Sequence, residues 1–372
     1  MVVLKYIINT TNKVGLLILL LCCISFASCV SCSDNSKGDP TEVIEDPTVG
    51  DPPKESSTFR NPILSSGADP WVTKVGDEYF VTYTTGYNIT LLRTNKMSDL
   101  KNAASKVVWT PPASGFNSEE IWAPEIHKIN NTWYIYYAAS NGDNINHKMW
   151  VLENTSENPF QGIWQDKGEL KLPDDKWAID GSPFEINGKL YFIWSGWEGD
   201  TNIRQDIYIA QMENPTSVIG ERINLIKPKE AWETNNTNPQ VTEGPQFLLK
   251  NGKAFIFYSA GGCWMDGYSI GAIWMESASD PMDVASWQRM ETNPLFKTNN
   301  TGNAFGPGHN SFFKSLNNDE DWILYHANPQ PGQGCGGNRS MRMQKFSWDN
   351  NGFPVLGIPE PLNKDLEKPS GE

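Results

Sequence analysis

One strand pattern occurs five times along the chain, and no other feature limits its fold as much. Each copy opens on small or acidic residues, continues through an apolar pair and a turn holding Gly or Asn, and ends in alternating aromatics and a small residue. The copies are ADPWVTKVGDEYFVTYTT from Ala68, WAPEIHKINNTWYIYYAA from Trp122, DGSPFEINGKLYFIWSG from Asp180, EGPQFLLKNGKAFIFYSA from Glu243 and HNSFFKSLNNDEDWILYHA from His309. Anchored on Pro70, Pro124, Pro183, Pro245 and Ser311, the steps are 54, 59, 62 and 66 residues. Asn-Gly and Asn-Asn at the turns suit the positive φ of a tight hairpin. A unit of this length leaves room for two further strands, such as SIGAIWMES after the fourth hairpin. Four antiparallel strands per unit and five units predict an all-β, five-bladed β-propeller. The alternative is a β-sandwich whose hairpins are alike by chance.

Composition agrees. The chain has 31 Gly and 25 Pro, too many for the interiors of a helical bundle, and 15 Trp among ample apolar residues for a core. The net charge of −14, without any block of Lys or Arg, argues against nucleic-acid binding and against an anionic lipid surface. A neutral ligand such as carbohydrate is compatible with it.

The first 28 residues read as an address. Lys5 and Lys13 precede an apolar run from Val14 to Phe26, too short for a comfortable membrane span, followed by Ala27, Ser28 and Cys29. This order resembles a bacterial lipoprotein signal, with Cys29 as the lipidated residue and Cys32 the alternative; an ordinary cleaved signal is the plainer reading. Residues 29–57 are rich in Asp, Glu, Pro and Ser and predict a disordered acidic tether. Its seven acids against two lysines give −5, which leaves −11 for the body. The propeller is expected over 58–362, with a C-terminal tail at 363–372.

Only two of the six cysteines, Cys263 and Cys335, lie in the body. In an exported protein such a pair is a disulfide candidate, and neither the spacing nor a neighbouring His suggests zinc.

In a propeller the innermost strand of each blade lines a central channel, so the residues that open each copy gather at one mouth. Those residues include Asp69, Asp180 and Glu243, three carboxylates read as equivalent repeat positions. A hydrogen-bonded plug or a bound cation would be their structural use. Their chemical use would be glycoside hydrolysis, in which one carboxylate activates water and a protonated one caps the leaving oxygen. A third negative group raises the pKa of the proton donor.

The A-D-P-W, W-A-P-E, D-G-S-P-F and T-E-G-P sequences, on five units of this length, resemble glycoside hydrolase family 43 from about Arg60 to Gly357. The resemblance implies a five-bladed propeller that cleaves arabinose- or xylose-containing glycans with inversion. Carried over by position, Asp69 looks like the general base, Asp180 like the acid that tunes and orients the donor, and Glu243 like the general acid. His309, in G-P-G-H-N, looks like the channel histidine that in many members approaches a bound calcium or its waters; no cofactor is otherwise required. Arg339 is the better match to the family's sugar-binding arginine, with Arg342 as the fallback. The segments GGCW at 261–264 and HANPQPGQGCGG at 326–337 resemble members acting on arabinose side chains.

Other signals are weaker. GQGCGG at 332–337 satisfies G-x-G-x-x-G but lacks the strand-to-helix context, and reads instead as a loop at the channel mouth. His127 and His147 read as hydrogen-bonded or surface residues, and no serine-hydrolase elbow is present. Trp133, Trp150, Trp274 and Trp322 fall within strands and are expected in the core. Trp71, Trp122, Trp197 and Trp264 lie at blade openings or loops, where a ring can stack on a sugar.

The expectation is therefore an exported, lipid-anchored monomer on the outer membrane, removing terminal α-L-arabinofuranosyl units from plant arabinan or arabinoxylan. A β-xylosidase, an endo-arabinanase and a non-catalytic glycan-binding propeller remain as alternatives.

Overall fold

The computed structural model describes residues 56–372. The signal peptide, Cys29 and nearly all of the tether expected at 29–57 lie outside the described residues.

Consecutive segments of the chain build five blades of four strands each. The innermost strands are Ala68–Val75, Glu119–Ile129, Ala178–Ile186, Gln240–Lys250 and Phe305–Lys314. Each pairs antiparallel with the aromatic strand that follows it: Glu78–Thr84, Thr132–Ser140, Lys189–Gly196, Lys253–Ala260 and Asp321–Asn328. The turns Asn130–Asn131, Asn187–Gly188 and Asn251–Gly252 have positive φ at both central residues, the geometry that matches the twist of the flanking strands. The third and fourth blades are also joined by a two-residue parallel pairing of Arg204 and Gln205 with Gln240 and Val241.

The alternating pattern of the aromatic strands follows from their burial on both faces. Tyr79 and Val81 pack toward the fifth blade, while Phe80 between them packs toward the second. Trp133, Ile135 and Tyr137 face the first blade, and Tyr134 and Tyr136 the third. The core is accordingly not one mass but five apolar clusters, one between each pair of neighbouring blades. Of the tryptophans expected in the core, Trp133 and Trp322 are fully buried, whereas Trp150 and Trp274 are packed but half-buried.

Among the described residues every blade is made from one contiguous stretch, and the ring closes without a shared strand. The fifth cluster unites Val72, Tyr79 and Val81 with Phe313, Trp322 and Leu324. Residues preceding the first blade run beside the fifth: Asn61 exchanges two hydrogen bonds with the backbone of Met343, at 2.9 and 3.0 Å, and Gly67 N donates to Arg339 O at 2.9 Å. Thr58–Phe59 pairs with Leu366–Glu367. The expected tail at 363–372 is thus part of the closure. Leu366 packs into the first-to-fifth cluster, and the Glu372 carboxylate accepts from the Met97 and Ser98 N–H groups at 2.7 and 3.1 Å. The apolar Leu366 and these backbone bonds hold the segment in place.

Candidate active site

All five innermost strands carry a β-bulge at the same depth, between residues 68 and 71, 122 and 125, 179 and 182, 243 and 246, and 308 and 311. The second residue of each bulge is left-handed: Asp69 (φ 54°), Ala123 (42°), Asp180 (57°), Gly244 (56°) and His309 (47°). A bulge inserts one extra residue, breaks the in-and-out alternation and re-aims a side chain. Non-glycine residues held at positive φ persist where the surrounding structure over-determines them.

This register corrects one expectation. Asp69 and Asp180 are equivalent, but Glu243 sits one residue earlier, and Gly244 takes the left-handed position. The reason is steric: a Cβ on Gly244 would lie 3.1–3.3 Å from the His309 ring. The fourth blade yields that space and presents its acid from the adjacent residue.

Asp69, Asp180, Glu243 and His309 line one cavity of about 380 Å³, together with Trp122, Trp264, Arg339 and the Cys263 and Cys335 pair. Those two cysteines are disulfide-bonded, with Cα atoms 5.2 Å apart, and tie loop 261–268 to loop 329–339. Two expected sugar-stacking residues are not on this wall. Trp71 packs against His127 and donates to Ile126 O at 2.7 Å. Trp197 is buried and stacked on Trp177 at 4.7 Å, so that it backs a lining ring without forming the surface. Their strand-side positions carry them into inter-blade packing. Arg342 is buried and donates to the carbonyls of Asn303 and Ala327 at 2.8 and 3.4 Å, which leaves Arg339 as the arginine at the cavity. His127 and His147 are both engaged: His127 with Glu125 at 2.9 Å, and His147 with Asn144 O at 3.0 Å.

The electrostatics separate the acids. Arg339 Nη1 lies 2.7 Å from Asp69 Oδ1, and His309 Nδ1 lies 3.3 Å from the same oxygen. Burial alone would raise Asp69, but the charges of Arg339 and His309 outweigh it and hold this carboxyl well below the usual range. Asp180 has no cationic partner as close. Burial, with the charges of Glu243 and Asp69, pushes it up to about 7, against the pull of His309 at 3.9 Å and an N–H bond from Gly244 at 3.0 Å. Burial also raises Glu243, despite a 2.7 Å hydrogen bond from the Tyr268 hydroxyl. His309 is raised because the surrounding carboxylates overcome its burial. Asp69 is thus pushed toward the ionised form while Asp180 and Glu243 are pushed toward the protonated one in a single cavity, the separation that acid–base chemistry requires.

The donor set does not fit a calcium ion bound directly at His309. Calcium takes oxygen ligands, whereas Nδ1 of this ring is turned to Asp69 and Asp180 and favours the protonated form. Among the described residues no group of three or more His, Cys, Asp or Glu is arranged to hold a metal.

Several cavity residues escape sequence reasoning. Trp177, Asn144, Asn202, Gln205 and Thr84 line the wall from loops and strand ends. His326 accepts from Asp69 N through Nδ1 at 3.1 Å. Trp177, three residues before Asp180, could have been found as an aromatic close to a blade opening. Tyr268 lies in a loop with no periodic signal.

A five-bladed propeller with three carboxylates drawn to an axial cavity is the class that fold and site define. The chain belongs to the glycosyl hydrolases family 43, whose model matches residues 59–354. It is 34% identical over 316 residues to an extracellular exo-α-(1→5)-L-arabinofuranosidase of Streptomyces avermitilis, covering 83% of this chain and 65% of that protein, a little under two thirds. A protein of the same description from Streptomyces chartreusis is 31% identical over 285 residues, covering 76% of this chain and 86% of its own length. The crystal structure of an α-L-arabinofuranosidase from Lactobacillus brevis superposes with a TM-score of 0.77 at 32% identity, over 82% of this chain and 98% of that one.

Proposed function

We propose that this chain is an exo-acting, inverting α-L-arabinofuranosidase. The carrying observation is the split in one cavity between Asp69, which Arg339 and His309 hold well below the usual carboxylate range, and Glu243, which burial raises above it. Asp69 takes the proton of a water molecule as that water attacks the anomeric carbon. Glu243 delivers its proton to the glycosidic oxygen as the C–O bond breaks. Asp180, close to His309 and accepting from the backbone N–H of Gly244, fixes the bulge that presents Glu243 from the adjacent residue. Trp122 and Trp264 offer ring faces to the sugars, and Arg339 offers a guanidinium to the terminal unit. The names of the relatives support arabinose as the sugar and exo action.

The natural substrate on this reading is plant arabinan or arabinoxylan. Export as a lipoprotein through Cys29, with the propeller acting as a monomer outside the cytoplasm, completes the proposal. A calcium ion held through water near His309 is a structural adjunct that the reaction does not use.

Product analysis on branched and debranched arabinan tests the function, with the anomer followed by NMR at early time. Arabinose alone, released as the inverted anomer, is expected. Oligosaccharide products or release of xylose alone from aryl glycosides would overturn the assignment. So would a Glu243→Gln variant that still cleaves arabinan.

A further inference from the structure

We propose that Tyr268 is a positioning residue for Glu243, its hydroxyl holding Oε1 so that Oε2 carries the proton toward the glycosidic oxygen. The inference rests on Glu243 being the acid. The Tyr268 hydroxyl is 2.7 Å from Glu243 Oε1 and both groups are buried, so this bond is made away from competing water. Burial and the adjacent carboxylate keep the phenol protonated, and Tyr268 is therefore the donor.

Three neighbours set the ring. A Cβ on Gly308 would collide with it, so only glycine there allows the approach. The His326 ring lies parallel to it, 6.0 Å away with 4° between the planes. Its own backbone N–H donates to Met265 O at 3.1 Å, within the loop that Cys263 fastens to Cys335. Asp266 of this loop also accepts from Gly332 N, at 2.8 and 3.1 Å. Tyr268 thereby links the acid of the fourth blade to the bulge of the fifth.

The chemistry follows. In the resting state Oε1 accepts from Tyr268, and the proton resides on Oε2. When it passes to the leaving oxygen, the glycosidic C–O electron pair goes to that oxygen and Glu243 becomes a carboxylate. The Tyr268 bond then strengthens on the new charge. The benefit belongs to the transition state and grows with the basicity of the leaving group.

The test compares wild type, Tyr268→Phe, 3-fluorotyrosine at position 268, and Glu243→Gln. The substrates are 4-nitrophenyl α-L-arabinofuranoside, whose leaving group needs little protonation, and α-1,5-arabinobiose, whose leaving group needs the acid. Tyr268→Phe is expected to lower kcat on arabinobiose about 10- to 100-fold and much less on the aryl substrate. The basic limb of its pH profile should move up by about one unit, because the carboxylate loses a donor and activity disappears only as pH rises through the acid's pKa. The fluorinated ring, a stronger donor of nearly the same shape, should move that limb down. Equal losses on both substrates with an unmoved limb would overturn the proposal and leave Tyr268 a packing residue. An unchanged limb in both Tyr268 variants, with Glu243→Gln inactive on arabinobiose, would sink this inference alone. A Glu243→Gln variant active on arabinobiose would sink the acid assignment beneath it.

Discussion

Arg339 Nη1 lies 2.7 Å from Oδ1 of Asp69, an ion pair between residues 270 apart in the chain, one on the first blade and one on the loop that precedes the last strands of the fifth. The pair spans the point where the ring closes, so the charge state of Asp69 depends on closure. Blade contacts made far from the cavity therefore bear on this carboxylate.

Arg339→Ala should move the acidic limb of kcat/KM upward by about one to two pH units. In the proposed mechanism Asp69 works ionised, so activity is lost as pH falls through its pKa, and without the guanidinium that pKa rises. The same depressed carboxyl stabilises the folded chain above its unfolded pKa of about 3.9 and ceases to do so as pH falls through the folded value. The stability gap between wild type and variant should therefore narrow below about pH 4. Kinetic profiles and urea midpoints across pH measure both.

Trp122→Ala and Trp71→Ala should fail in different ways. Trp122 lines the cavity and stacks on His147 at 4.0 Å, so its loss should raise KM about tenfold or more on arabino-oligosaccharides. Trp71 packs on His127 between the first and second blades, and its loss should lower the melting temperature with KM nearly unchanged. Steady-state kinetics beside calorimetry separates the two.

The disulfide closes a separation of 72 residues, and chain entropy alone assigns it about 4 kcal/mol. Cys263→Ser with Cys335→Ser should lower the melting temperature. It should also raise KM, because Trp264 and Arg339 lie on the two loops it joins. Reduction of the wild type should reproduce both effects.

Gly244→Ala and Gly252→Ala form a matched pair. Both glycines have positive φ, so each alanine should cost about 1 kcal/mol or more of backbone strain. At Gly252 nothing lies within 4 Å of the added methyl, whereas at Gly244 it meets the His309 ring. Both variants should melt below wild type, Gly244→Ala the lower of the two, with a kcat loss confined to Gly244→Ala, as activity and thermal unfolding assays will read.

Blade number and order were legible because the aromatic strands, buried on both faces, repeat Trp, Tyr, Phe and Ile at alternating positions that any packing of this kind would demand. The three acids were legible because the repeat placed them at blade openings. Their equivalence was not, since a bulge adds a residue without any mark in composition: sequence likeness aligns Pro183 and Ser311 with Pro70, whereas the bulges align Gly181 and Asn310 with it. Trp71 and Trp197 could not be told from Trp122, because an aromatic at a blade opening can turn to the channel or to the neighbouring blade. Leu366 looked like part of a tail because its partner strand lies some 300 residues away.

By itself, then, the sequence determined the repeated hairpin, the number of units and the three carboxylates that gather at one cavity, all written in local periodicity and turn chemistry. Only the tertiary structure decided which carboxyl is pushed toward ionisation and which toward keeping its proton. That choice depends on Arg339, His309 and Tyr268 arriving from other parts of the ring, and on burial that no single blade can provide.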